Sequence, residues 1–169
     1  VGSEMCIRDS PYPFANVTKP EDYKAFLAGE EKNAAHIFGA HERTVNGVKG
    51  VLFTVWAPKA LSVSVVGEFN KYDGRVHLME RIEDTGVFEL FIPGLTAGCG
   101  YMYEIKRQGK GTIRKLDPVS RQISSVPITA SMVSDENMPD SYAWNDGIWM
   151  IKRKKEAGKK KPVTVYEVS

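Results

Sequence analysis

The chain has 169 residues and a formal net charge of +2, with 42% hydrophobic and 26% charged residues, the make-up of one globular domain with a real core. So small a positive excess argues against a nucleic-acid protein, where a basic face dominates, and no apolar run approaches the ~18 residues of a membrane span. Two cysteines, Cys6 and Cys99, are too few for a disulfide scaffold, so free thiols and a reducing, cytoplasmic setting are expected.

Val1–Ser10 has neither an apolar core nor a cleavage site, which excludes a signal peptide. The string resembles a translated sequencing adapter; the other reading is a disordered terminus. Thr18-Lys19-Pro20-Glu21 predicts a helix start, with Thr18 as N-cap, Glu21 completing a capping box and Pro20 in the first turn. Tyr23, Phe26 and Leu27 then share one face and Gly29 stops the run, giving an amphipathic helix over 19–28 whose aromatics dock on its own domain. A second helical turn is expected near 31–36, so that 11–36 forms an N-terminal helical segment.

From Ile37 the texture becomes β. Val, Phe and Thr at period two in Val51–Trp56 and Val63–Val66 read as half-buried strands, and Pro58 ends the first of them. Strands are expected over 50–57, 62–68, 87–92, 100–107 and 111–116, with edges at 37–43 and 128–133. Asn46-Gly47 signals a hairpin turn, and Asp73-Gly74 a turn with a residue tolerant of positive φ. Several short strands without long intervening helices predict an antiparallel sandwich over 37–134. Trp56 is expected in its core, Asp117 before Pro118 to fix a turn.

Lys152–Lys155 and Lys159–Lys161 form a basic run of the kind that can bind RNA. No aromatic interleaves it, and a solvated linker over 135–162 is the plainer reading. Pro162–Val168 reads as one more strand. His36, His41 and His77 lack metal-ligand spacing, and no phosphate-binding loop or nucleophile motif is present. Asp73, Glu83-Asp84 and Asp135-Glu136 sit in turn-like surroundings with no reason to pair as catalytic carboxylates.

A family resemblance comes from particular strings. Gly39-Ala40-His41, Trp56-Ala57-Pro58, Gly67-Glu68-Phe69-Asn70, Gly86–Leu95, Tyr101–Ile105, Lys115–Pro118, Pro127–Ser131 and Tyr142–Trp149 follow one another in the order of the family 48 carbohydrate-binding module at the front of bacterial glycogen branching enzymes. The resemblance implies a mainly β, immunoglobulin-like antiparallel β-sandwich with a short N-terminal helical segment and a C-terminal linker. It also implies that 163–169 opens a catalytic (β/α)8 barrel lying beyond Ser169, which carries the catalytic carboxylates, so that this chain alone is not catalytic. The whole enzyme would cut an α-1,4-glucan and transfer the segment to a 6-hydroxyl, without a cofactor. Its partners would be an α-glucan and the barrel of the same polypeptide, with neither nucleic acid nor membrane.

By the same resemblance the sugar-binding positions are Asn70, Tyr72 and Met102. Glycan-binding members carry a Trp after Phe-Asn and a Lys on a neighbouring strand; here Tyr72 offers a smaller ring and Met102 no donor. Asn70 and Tyr72 either meet the sugar or only shape their loop. A free-standing, non-catalytic glycan-binding module is the alternative function. Isoamylase- and trehalohydrolase-type relatives carry related sandwiches, but Gly86–Leu95 points to branching enzymes.

Overall fold

The computed structural model describes residues 17–31, 33–135, 144–158, 164 and 166–167. The chain divides into two compact units, residues 1–137 and 138–169. The expectations for 1–10 and for most of 163–169 lie outside the described residues.

The first unit is an antiparallel sandwich of two sheets. One sheet has the order β1 (Gly39–Val45), β2 (Val48–Trp56), β5 (Val87–Pro93) and β4 (Glu80–Ile82). The other runs β3 (Ala60–Gly67), β6 (Gly100–Arg107), β9 (Ala130–Met132) and β8 (Ile123–Ser124). There β7 (Gly111–Lys115) shares one flank of β6 with β9: β7 takes residues 103–107 and β9 takes 100–101. Each strand expected between residues 37 and 134 is present within a few residues. The two-residue β8 and three-residue β4 are additions, too short to show a period. At the β1–β2 hairpin, Asn46 and Gly47 have φ of 50° and 81°, the pair of left-handed residues that a tight hairpin turn needs.

Alternation explains the core. Val51, Phe53 and Val55 of β2, Phe88, Leu90 and Ile92 of β5, Val63 and Val65 of β3, and Tyr101 and Tyr103 of β6 point between the sheets and are buried. The intervening residues of β5 are also buried, because the N-terminal segment covers that sheet from outside. Val87 packs with Tyr23, Ile37 and Phe38, and Glu89 is 3% exposed. A strand covered on both faces loses its polar alternation.

The covering helix is α1 (Pro20–Leu27), followed by a 3-10 turn at Ala34–His36. Its aromatics dock as expected through Tyr23 and Phe26, whose ring lies edge-on to Phe38 at 4.6 Å. Leu27, by contrast, is exposed. The capping box does not form: Lys19 is the N-cap and no side chain caps the helix. Thr18 is diverted, because its hydroxyl and backbone N–H both donate to Glu89. A buried carboxylate is a stronger acceptor than a solvated helix end is a donor. Trp56 also departs from expectation. It follows Leu52 and Thr54 on the outer face of β2, at the strand end, and is 47% exposed, with the Phe26 ring edge-on at 5.5 Å.

In the second unit, the stretch expected as linker carries a helix, α2 (Gly147–Glu156). Its last turn holds Arg153, Lys154 and Lys155, a placement that suits the negative end of the helix dipole. Trp144 and Trp149 are exposed, and the Arg153 guanidinium lies 5.3 Å from the Trp149 ring centre.

Candidate functional site

The site expected from sequence lies where β3 leaves its sheet. After Gly67 the chain makes a 3-10 turn at Glu68–Asn70, and Lys71 and Tyr72 follow with φ of 54° and 59°. The positive φ therefore falls on these two residues and not on Gly74, where the sequence suggested it. Two consecutive left-handed side-chain residues are costly, about 1–2 kcal/mol each. The loop is held all the same, by Lys71 N–H to the Glu68 carbonyl (3.1 Å), Tyr72 N–H to the Gly67 carbonyl (2.9 Å) and Asp73 N–H to the Asn70 carbonyl (3.0 Å).

Asn70 is the inner brace of this loop. It is 8% exposed. Its carbonyl accepts from Gly67 N–H at 2.9 Å, and its amide donates to the Val65 carbonyl and to His77 Nδ1, both at 2.8 Å. Of the two readings open at the sequence level, this geometry matches the loop-shaping one.

His77 is itself buried beside the Phe69 ring, and burial holds its pKa below the ordinary 6.5. A neutral imidazole is what Asn70 requires as acceptor. Below pH 6.5 the unfolded chain takes up a proton that the folded chain resists, so stability is greatest above that pH and falls as the medium is acidified. The thermal midpoint should drop between pH 7.5 and 5.5, and less steeply in His77→Gln. A midpoint that rises on acidification would contradict this. At the next turn, hydrogen bonds from Arg75 hold the Asp73 carboxyl down at about 2, and the Arg75 fork reaches Asp73 Oδ2 at 2.7 Å.

Tyr72 is half-buried, and β6 and β7 supply its contacts. β6 and β7 pair Glu104 with Arg114. Arg114 donates from Nε to Glu104 Oε2 (3.0 Å) and from Nη2 to the Tyr72 carbonyl (2.9 Å), with its guanidinium carbon 5.8 Å from the Tyr72 ring centre. Gly74 leaves room for this: a Cβ there would run into the Glu104 carboxylate. Met102 pairs with Val66 two residues earlier on β6 and is half-buried. Arg114 and Glu104 thus join Tyr72, and sequence reasoning had named neither. The signal was available in the two-residue repeat of β6, which puts 102 and 104 on the same face.

Beside this cluster runs a shallow groove of about 260 Å³ on the outer face of the second sheet. Ser62, Ser64, Glu104, Lys106 and Thr112 line it, with Leu78 as an apolar wall. Hydroxyls, a carboxylate and an ammonium around a small apolar patch can hydrogen-bond a polyol and bury its C–H surface. Among the described residues no group of histidines, cysteines and carboxylates could hold a metal ion, and Cys99 carries a free thiol. No helix among them is long and apolar enough to cross a membrane.

An immunoglobulin-like antiparallel sandwich with an aromatic loop and a polar groove on one outer face is the architecture of a small binding module. Residues 37–120 match the family described as Carbohydrate-binding module 48 (Isoamylase N-terminal domain), and this part of the chain belongs to that family. The chain is 45% identical over 159 residues to the 1,4-alpha-glucan branching enzyme GlgB of Thiobacillus denitrificans, which covers 94% of this chain and 21% of that protein. It is 44% identical over 168 residues to the enzyme of the same name from Thermosynechococcus vestitus, covering 99% of this chain and 21% of that one. The chain therefore spans about a fifth of the length of the curated relatives it matches. Among solved structures, a pullulanase from Bacillus acidopullulyticus aligns over 63% of this chain and 13% of its own, with a TM-score of 0.48 and 25% identity.

Proposed function

We propose that this chain is the α-glucan-binding and positioning region of a cytoplasmic glycogen branching enzyme. The whole protein would transfer α-1,4-glucan segments to 6-hydroxyls, with the chemistry on a barrel of the same polypeptide. The observation that carries this reading is similarity at 44–45% identity along nearly the whole chain to proteins named as branching enzymes, with the family match at its centre. The glucan-facing residue is Tyr72. Its ring would bury a glucose C–H face, while Lys106 and the groove serines bond hydroxyls; Asn70 braces the loop from behind.

Backbone strain makes this testable. A tyrosine in a left-handed position persists where its side chain is needed, since asparagine takes that conformation at less cost. Tyr72→Asn should keep the thermal midpoint or raise it, by up to ~1 kcal/mol in stability, yet lose retardation in glycogen-containing native gels. Wild-type mobility unaffected by glycogen would remove the binding role. Loss of stability without loss of binding would reduce Tyr72 to a loop former.

A further inference from the structure

The Tyr72 ring already has a partner. We propose that Arg114 occupies the ring face a glucose unit would take, so that the Glu104–Arg114 pair acts as a built-in competitor that sets the affinity of the site. This rests on the reading of Tyr72 as the sugar-facing ring.

Four features hold the competitor in place. The β6–β7 register sets Arg114 opposite Glu104, and the Nε–H bond to Glu104 fixes the plane of the guanidinium. The second bond, to the Tyr72 carbonyl, ties the same group to the loop that bears the ring. Gly74 is the place in the turn where Glu104 can approach. The guanidinium then lies over the ring at 5.8 Å. Planar arginines and sugar C–H faces stack on the same surface of an aromatic ring, so one ring face takes one or the other. The cap is displaceable, because the ion pair is exposed: the side chains of Arg114 and Glu104 are 46% and 23% accessible, and exposed pairs are weak. The free site must give up its own stack before a sugar can take the ring face.

Titration of the full 169-residue chain with maltoheptaose tests this. Arg114→Ala should bind about three- to fivefold more tightly than wild type, the cost of one exposed cation–π contact. Raising salt should tighten wild-type binding by loosening the pair, and leave Arg114→Ala unchanged. In wild type the Arg114 Nε–H resonance, assigned by its loss in the variant, should move on saturation with maltoheptaose. Equal or weaker binding by Arg114→Ala, or an unmoved Nε–H resonance, overturns the competitor. Wild-type binding by Tyr72→Asn, with Arg114→Ala also at the wild-type level, would instead overturn the Tyr72 site itself. No binding by any variant overturns both.

Discussion

Asp117→Ala should lower stability by about 3–5 kcal/mol, the cost of leaving several buried donors without their acceptor. Asp117 is 4% exposed and accepts the Tyr101 hydroxyl at 2.6 Å, the Tyr103 hydroxyl at 3.1 Å and the Val119 N–H at 2.9 Å. Its own N–H donates to Ser131 Oγ at 2.9 Å, which ties the β7–β8 connection to β9. Both tyrosines are 1% exposed, and burial followed by the Asp117 charge pushes both phenols well above their ordinary range. They therefore act as permanent donors. Alanine would strand two buried hydroxyls and one turn N–H, each at ~1–3 kcal/mol, with some relief from entering water. Asp117→Asn keeps the shape and one acceptor and should fall in between. In a Tyr101→Phe, Tyr103→Phe background the alanine substitution should cost clearly less, since the donors it orphans are gone. Urea unfolding of the five proteins decides it; an alanine variant within ~1 kcal/mol of wild type would show that the network adds little.

The sequence carried the sandwich because the sandwich is a period-two object. Val51, Phe53 and Val55 alternate with outward residues, and Asn46-Gly47 names its own turn type. What it hid depends on which outer face is covered. Glu89 reads as an ordinary solvent-facing position of β5 and becomes buried only because α1, more than sixty residues away in sequence, lies across it. The same covering drew Thr18 away from its helix and left Trp56 beyond its edge. The site was half legible. The family pattern led to Tyr72 and Asn70, but Arg114 is brought to Tyr72 by the β6–β7 register, and no local string states a register. The left-handed conformation of Tyr72 was equally out of reach, since Gly74 stands two residues on and is the residue any turn rule selects.

Glu89→Ala should release the N-terminal helix and leave the sandwich standing. The Glu89 carboxylate accepts Val17 N–H at 2.6 Å, Thr18 N–H at 3.1 Å, the Thr18 hydroxyl, and the Tyr23 hydroxyl at 3.1 Å. Charge-assisted bonds of this kind are worth ~1.5–3 kcal/mol each when both partners are held. The net loss is expected near 2–4 kcal/mol, because a freed segment rehydrates its donors. The α1 segment supplies little of its own: eight residues without a side-chain cap are marginal as an isolated helix. Glu89→Gln should fare nearly as badly, since its amide would turn N–H groups toward a ring of donors. Amide exchange at Val17, Thr18 and Tyr23 should approach unprotected rates while Val63, Val65 and Phe53 stay protected, and trypsin should cut at Lys24. Continued protection of Val17 and Thr18 in the alanine variant would count against the clasp. The Tyr72 cluster lies on the outer face of the other sheet, where β6 and β7 pair. Maltoheptaose affinity should therefore survive the loss of α1. A variant that sheds its helix and still binds would show that α1 guards the β1–β2–β5 face and has no part in holding the sugar.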